Sequence, residues 1–312
     1  MPSPTSSLMP SPTPSPADPT GPTDPADLAG PAPDPWHGLL GVLVCPLCGA
    51  RLQRDGGALR CAARHSFDIA RQGYVSLLTG NAHAANADTA SMVRARAEFL
   101  GAGHYAPLTR ALADLATGLC PPRGTVLDAG AGTGHYLSAV LDALPGAVGL
   151  GLDLSRYALR RAARAHPRAR AAGWDVWRPL PVRTGSVDLL FNVFAPRNGP
   201  EFRRVLRAGG ALVVVTPTAR HLAEVRREAG LLSVDGAKEQ RLHRTLSEGF
   251  RQVATEVREH VLDLSARDVR NLVAMGPSAR HLTDEELDRR VPATGAGRRT
   301  TASFRISVYR PR

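Results

Sequence analysis

The chain has 312 residues, 43% hydrophobic and 21% charged, enough for the core of one large domain or two modest ones. Its longest apolar runs, at 189–193 and 211–215, have strand length and fall far short of a membrane span. The N-terminus lacks the basic start and apolar stretch of a signal peptide, so the expected location is the cytoplasm. A net charge of +11, from 39 Lys+Arg against 28 Asp+Glu, favours a polyanionic partner. Lys238 is the only lysine. Arginine forks phosphate better than lysine does, but a codon bias toward arginine and alanine explains most of that skew.

Residues 1–35 hold 12 of the 26 prolines, four aspartates and no Lys or Arg, the composition of a disordered tail. Setting the tail aside leaves 36–312 at +15. Residues 36–80 read as a small module with three of the four cysteines, and 80–88 as a polar hinge. A helical pattern runs over 89–100, so 81–104 is expected to link the module to a domain over 105–312. There, strands are predicted at 125–128, 148–153, 169–175, 187–193 and 211–216. Helices are predicted at 135–144, 156–165 and 200–207, with Gly209-Gly210 breaking the last of them. The tail end predicts an extended 257–264, a helix over 266–275 and a final strand at 302–309. Strand alternating with helix at this spacing implies an α/β fold with a parallel sheet covered on both faces.

Cys45, Cys48, Cys61 and His65 form a C-x2-C-x12-C-x3-H pattern. Two such pairs can set three thiolates and an imidazole tetrahedrally around Zn2+, with all four positions closed as in a structural site. Metal binding would then supply folding free energy that so small a module lacks. The alternatives are incidental buried cysteines or a disulfide, and the regular CxxC knuckle speaks against both. Cys120 stands alone and reads as a buried structural thiol.

Asp128 opens a D-x-G-x-G-x-G loop through Gly130, Gly132 and Gly134. A nicotinamide loop would require glycine at 135, where the chain has His135. The pattern instead resembles the S-adenosylmethionine loop of class I methyltransferases, a Rossmann-like fold. The glycines would let backbone approach the methionine part, and Asp128 would face its ammonium. Asp153, ending the next strand, is placed to accept from the ribose hydroxyls. Asp175 could accept from the adenine amino group, or be a solvated loop residue.

The stretch from Cys45 through Cys61, His65, Asp68, Gly73 and Tyr74 to Leu78 resembles the N-terminus of the 23S ribosomal RNA guanine-N1-methyltransferases. Met92, Arg96, Gly103, His104, Tyr105 and Pro107 match the same family, as do Phe194-Ala195-Pro196 and the run from Thr216 to Leu222. The resemblance spans about 40–230 and leans toward the branch that includes self-resistance enzymes of macrolide producers, such as the tylosin-resistance methyltransferase. It implies a class I methyltransferase domain preceded by a zinc ribbon. Structural Zn2+ would sit on Cys45, Cys48, Cys61 and His65, and the cofactor would touch Tyr105, Gly132, Thr133 and His221. It implies 23S rRNA as partner and a homodimer, with a guanine in a hairpin lining the peptide exit tunnel as target. Tyr105 could equally be core, His221 a helix cap and Phe194 either core or a stacking surface for the target base. The arginines at 156, 160, 161, 164, 168 and 170 are either a phosphate-binding face or a solvated helix face.

Guanine N1 holds its proton roughly two pKa units above neutral, so removing it costs ~3 kcal/mol. A nearby acceptor should take or share that proton, and no residue pattern identifies it. The Asn-Pro-Pro-Tyr signature of exocyclic-amine methyltransferases is absent; Asn192-Val193-Phe194-Ala195-Pro196 stands in its place. The target base must leave its stack to reach the methyl group. Two rival readings stay open. A small-molecule methyltransferase using the zinc module for oligomerisation predicts a closed apolar pocket and weak salt dependence. A non-catalytic RNA-binding protein is the other, against which the intact loop and Asp153 speak.

Overall fold

The computed structural model describes residues 35–79, 87–228, 245–276, 279, 283–291 and 296–312. The proline-rich tail expected over 1–35 falls, but for Pro35, outside the described residues, as do positions 80–86 of the expected hinge.

Helix α1 (Pro35–Leu40) leads into a three-stranded antiparallel sheet of β1 (Leu52–Asp55), β2 (Ala58–Cys61) and β3 (Ser66–Asp68). Leu52 pairs with Cys61 and Leu59 with Phe67, which turns the apolar side chains of all three strands to one face. Strand β4 (Val75–Ser76) then leaves this ribbon and joins the edge of the large sheet.

That sheet has eight strands in the order β10-β11-β9-β8-β5-β6-β7-β4. Its parallel part comprises β4, β5 (Thr125–Ala129), β6 (Val148–Asp153), β7 (Ala169–Gly173), β8 (Val187–Val193) and β9 (Leu206–Pro217). The antiparallel pair β10 (Phe250–Leu264) and β11 (Arg298–Pro311) completes it. Helices α2 (Ala90–Gly101), α3 (Ala106–Leu119), α4 (His135–Ala143), α5 (Arg156–Ala162), α6 (Gly199–Val205), α7 (Ala223–Glu228), α8 (Ala266–Ala274) and α9 (Asp284–Arg290) connect the strands. The chain runs outward from β5 in both directions, through β6 and β7 on one side and β8 and β9 on the other. The sheet therefore has a switch point beside β5, and the crevice beyond its carboxyl ends is where such sheets bind ligands.

Every residue of β5 and β8 is buried, which is why their sequences read as continuous apolar runs. Several expected elements differ in extent: the helix from 156 ends at Ala162, the strand from 169 at Gly173, and the last strand runs over Arg298–Pro311. Gly209-Gly210 does not break the chain. Helix α6 already ends at Val205 and β9 passes through both glycines, with a register shift opposite residues 187–189. A Cβ on Gly210 would sit 3.0 Å from the Arg207 carbonyl and 3.1 Å from that of Asp188, so this bulged strand needs a bare backbone there. Strand β10 starts seven residues earlier than the sequence suggests. It is an edge strand with much of its length exposed, so its polar content hides it from a search for apolar runs.

The ribbon does not stand apart from the sheet. Trp36, Leu39, Val42, Leu52, Leu59 and Phe67 share one core with Leu127, Leu150, Leu190 and Val214. The Val44 N–H donates to the Pro181 carbonyl (3.0 Å), that of Arg183 to Val42 (2.8 Å) and that of Leu77 to Gly173 (3.2 Å). Helix α2, expected within a linker, is capped by Thr89 and buries Met92, Val93, Phe99 and Leu100.

Candidate active site and zinc cluster

The carboxyl ends of β5 to β8 open onto a cavity of about 370 Å³. Strand β5 delivers Asp128 and the loop Gly130–Thr133, β6 delivers Asp153, the turn after β7 delivers Trp174 to Trp177, and the turn after β8 delivers Phe194 to Pro196. Arg96, Leu100 and Tyr105, from α2 and the start of α3, complete the wall with His135, Tyr136 and Met275.

Gly130, Gly132 and Gly134 all have positive φ, at 93°, 54° and 78°. A Cβ on Gly130 would lie 2.3 Å from that of Ala195, so the loop after β5 and the loop after β8 touch only because this residue is glycine. The N–H groups of Gly130 and Ala131 both donate to the Leu152 carbonyl (2.8 and 2.9 Å). The loop is thus tied to the end of β6 by its own backbone.

Asp153 is held by backbone. Its Oδ2 accepts from the Gly132 N–H and its Oδ1 from the Ser155 N–H, each at 2.8 Å. Each oxygen keeps a second lone pair for a ligand hydroxyl. Asp128 is 1% exposed, and its Oδ1 has no hydrogen-bond partner among the described residues. Burial first, and then the Asp153 charge, push its carboxyl up to about 7. On the same wall the indole N–H of buried Trp174 also lacks a partner among the described residues. An unmet acceptor and an unmet donor facing one cavity call for a ligand with a cationic donor and an acceptor. The ammonium and the adenosine nitrogens and oxygens of S-adenosylmethionine fit that demand.

Of the residues the sequence singled out, Tyr105, Asp128, Gly130, Gly132, Thr133, Asp153 and Asp175 line the cavity. Gly134 instead starts α4 and packs against Ala162 and Ala165. His221 lies behind Tyr105, with Nε2 3.3 Å from the phenol oxygen. Burial lowers its imidazole to about 3, with smaller contributions from Arg226 and His260. Phe194 sits at the rim with φ of +54° and 41% of its surface exposed. Its backbone is pinned: Asn192 Nδ2 donates to the carbonyls of Ala129 (2.9 Å) and Pro196 (2.8 Å), and the Phe194 N–H to Val215 (3.2 Å).

Sequence reasoning gave no role to Arg96, Trp174 or Trp177. Arg96 reaches the Asp88 carboxylate and the Met275 carbonyl (2.9 Å), so it ties the segment before α2 to the end of α8 across the cavity. Only tertiary packing reveals that bridge. The two tryptophans could have been found as aromatics in the turn after the third core strand. The arginine run divides: Arg168 is bound to the carbonyls of Leu141, Leu144 and Ala147 and Arg170 to those of Pro167 and Ala169, whereas Arg156, Arg160, Arg161 and Arg164 are exposed. Cys120 is buried, and burial pushes its thiol up to about 11, as befits a structural residue.

In the ribbon, Cys45 Sγ and Cys61 Sγ each lie 3.4 Å from His65 Nδ1, and Cys48 Sγ lies 3.7 Å from Cys61 Sγ. All four ligand atoms fall within 4.8 Å of one another. Tetrahedral Zn2+ with its usual bond lengths sets edges of about 3.8 Å between sulfurs and about 3.6 Å between sulfur and nitrogen. The four side chains therefore already have the spacing of a zinc site, folded by turns at Gly49 (φ 71°) and Arg64 (φ 62°). Four protein ligands leave no open position, so the metal's role is structural.

Comparison with known proteins agrees with this geometry. The family described as "RlmA, N-terminal", a zinc ribbon, matches residues 43–83, and "Methyltransferase domain" matches 126–210. A putative 23S rRNA (guanine-N(1)-)-methyltransferase of Micromonospora griseorubida is 53% identical over 291 residues, covering 88% of this chain and 98% of the relative. The 23S rRNA (guanine(748)-N(1))-methyltransferase of Streptomyces fradiae is 48% identical over 272 residues, covering 86% and 96%. A third relative, the putative 23S rRNA (guanine-N(1)-)-methyltransferase YxjB of Bacillus subtilis, is 34% identical over 192 residues, covering 58% and 66%. With a zinc ribbon built onto a methyltransferase sheet and the first two of these relatives matching along nearly their whole length, the chain belongs to the family of S-adenosylmethionine-dependent 23S rRNA (guanine-N(1)-)-methyltransferases.

Proposed function

We propose that the chain methylates N1 of one guanine in 23S rRNA, the counterpart of the guanine 748 named for the Streptomyces fradiae relative, and that this modification serves macrolide resistance. The observation that carries the reading is the cavity: unmet polar atoms at its floor and an exposed aromatic at its rim. S-adenosylmethionine, when bound, supplies an electrophilic methyl group. Asp128 would receive its ammonium and Asp153 its ribose hydroxyls, and the backbone of Gly130, Gly132 and Thr133 would hold the methionine part. Tyr105, backed by His221, closes that side. The Phe194 ring would stack on the extruded guanine and hold it in a fixed orientation at the cavity mouth, since alignment is what displacement at a sulfonium demands.

The zinc ribbon and the exposed arginines of α5 form the face that holds the RNA phosphates. Tyr74 of the ribbon packs on the α5 cluster of Leu159, Ala162 and Ala163, so the two are neighbours. The protein acts in the cytoplasm, and a homodimer is its working form. Among the described residues no helix is long and apolar enough to cross a membrane. Primer extension on 23S rRNA incubated with protein and cofactor tests the reading. N1 methylation blocks Watson–Crick pairing, so reverse transcriptase should stop at one guanine. Clean read-through on both naked RNA and ribosomal subunits would overturn it.

A further inference from the structure

The chain has three Trp, five Tyr and seven Phe, and all lie among the described residues. Only two of these fifteen are exposed: Phe194 at 41% and Trp177 at 66%. Both line the same cavity, on different loops. A single apolar side chain on a surface needs no explanation, but two aromatics converging on one opening do. The Trp177 backbone is fixed. Its N–H donates to Asp175 Oδ1 (3.0 Å), and Asn198 Nδ2 lies 3.1, 3.2 and 3.5 Å from the carbonyls of Val176, Trp177 and Arg178. Asn198 also caps α6, so the loop after β7 is anchored to the element that follows β8. The turn that carries the indole is therefore held at both ends, and the indole itself is exposed.

The position of that turn points to the occupant. From Trp177 the chain runs to Pro181 and Arg183, which bond to Val44 and Val42 of the zinc-bearing segment. Arg178 Nη1 reaches the Thr79 carbonyl (3.4 Å) at the end of that segment. The segment that begins at Trp177 thus joins the cavity wall to the ribbon, so a strand touching the ribbon and delivering a base to the cavity would have Trp177 within reach. Unstacked bases of single-stranded loops are held on aromatic faces in this manner, and the residues from 36 onward carry a net +15 that suits a polyanion.

We propose that Trp177 is a second stacking surface, taking the base that neighbours the extruded guanine while Phe194 takes the guanine itself. The inference rests on the RNA-methylating reading above and adds a residue that reading does not use. Extrusion leaves a flanking base without its stacking partner, and Trp177 replaces that partner.

The test compares wild type with Trp177→Ala and Trp177→Phe on the 23S rRNA hairpin. RNA affinity is read by fluorescence anisotropy, cofactor affinity by calorimetry, and turnover by primer extension. Trp177→Ala should raise the RNA Kd and KM by roughly 5- to 100-fold, the range for losing one base–aromatic stack. Its cofactor Kd and melting temperature should match wild type, and Trp177→Phe should restore most of the RNA affinity. Trp36 and Trp174 are buried, so RNA should quench the exposed part of the emission in wild type and not in Trp177→Phe. Unchanged RNA Kd and KM in Trp177→Ala would overturn the inference while leaving the methylation reading intact. So would a loss of cofactor affinity in proportion, which would make Trp177 a cover for the adenine. Wild type that binds the RNA yet gives no reverse-transcriptase stop on the hairpin or on ribosomal subunits counts against the methylation reading alone. Wild type that binds neither the hairpin nor ribosomal subunits overturns both.

Discussion

Tyr105 Oη and His221 Nε2 stand 3.3 Å apart, and the imidazole is the donor of that pair. The Ser303 N–H donates to His221 Nδ1 (3.2 Å), so Nδ1 carries no proton. With its pKa near 3 the ring is neutral, and its one proton is on Nε2. The Tyr105 oxygen accepts it, which leaves the phenol hydrogen for an acceptor in the cavity that Tyr105 lines. On the proposed reading His221 positions the Tyr105 hydroxyl and does not itself touch the cofactor. His221→Gln, which can still donate one hydrogen bond, should keep cofactor affinity within about threefold, whereas His221→Ala and Tyr105→Phe should each weaken it about five- to tenfold. The double variant should be little worse than either single one, because both break the same chain. Additive losses would show independent roles.

The same burial makes His221 a source of acid sensitivity. Its folded pKa lies below the usual 6.5, so between about pH 6.5 and 3 the unfolded chain binds the extra proton and stability falls as pH falls. From pH 7 to 4 the loss is about 3 kcal/mol. His221→Gln should flatten that part of a melting-temperature profile without altering activity between pH 6 and 9.

Asp128 works in the opposite direction. Its folded carboxyl near 7 lies above the unfolded 3.8, so the native state binds the extra proton and stability falls as pH rises between those values. That cost reaches roughly 4 kcal/mol above neutrality, and a bound ammonium would relieve it by favouring the ionised form. Cofactor binding should therefore release a proton and tighten about tenfold from pH 6 to 8. Calorimetry in buffers of different ionisation enthalpy reads both effects. Asp128→Asn should melt higher than wild type at pH 8 without ligand, yet lose the stabilisation that cofactor gives. A pH-independent wild-type Kd would remove Asp128 from the ammonium site.

How much of this was legible beforehand follows from what each residue's neighbours are. Asp128, the glycine loop and Asp153 are fixed by local order, since a strand end and the turn after it put them at the sheet edge in any chain of this pattern. The zinc ligands are likewise set by short spacings within one ribbon. His221 could be placed near the cofactor but not behind Tyr105, because that relation depends on β11 supplying Ser303 from 82 residues away. The Arg96 bridge to Asp88 and Met275 was invisible for the same reason. The ribbon's attachment was hidden too, since a two-residue β4 carries no periodic signal.

That attachment bears on what zinc removal does. The ribbon shares a core with the sheet and adds β4 beside β7, while the residues proposed to hold the cofactor lie mainly on β5 and β6. Chelation, or Cys48→Ser, should lower the melting temperature of the whole chain and abolish methylation of RNA. Cofactor Kd should rise less than about threefold, because the lost strand is three places from β5 and its packing effects are largely independent of that site. Loss of cofactor binding on chelation would show that the sheet needs the ribbon to fold.

Phe194 offers the sharpest separation of stability from function. A bulky side chain at φ +54° costs about 1–2 kcal/mol of backbone strain, which glycine does not incur. The strain is maintained by the Asn192 bonds to Ala129 and Pro196 and by the Ala195 contact with Gly130. What it achieves is to hold the ring at the rim, within 6.4 Å of Tyr105 and His221 and nearly parallel to the imidazole (21°). Phe194→Ala keeps the strain and loses the ring, whereas Phe194→Gly loses both. Phe194→Gly should therefore be the more stable of the two by about 1 kcal/mol, the reverse of the order on ordinary backbone. Both should lower kcat for RNA by at least tenfold with cofactor Kd unchanged, as expected for a residue that aligns the base. A Phe194→Gly protein with wild-type turnover would show that the strained ring is packing and not platform.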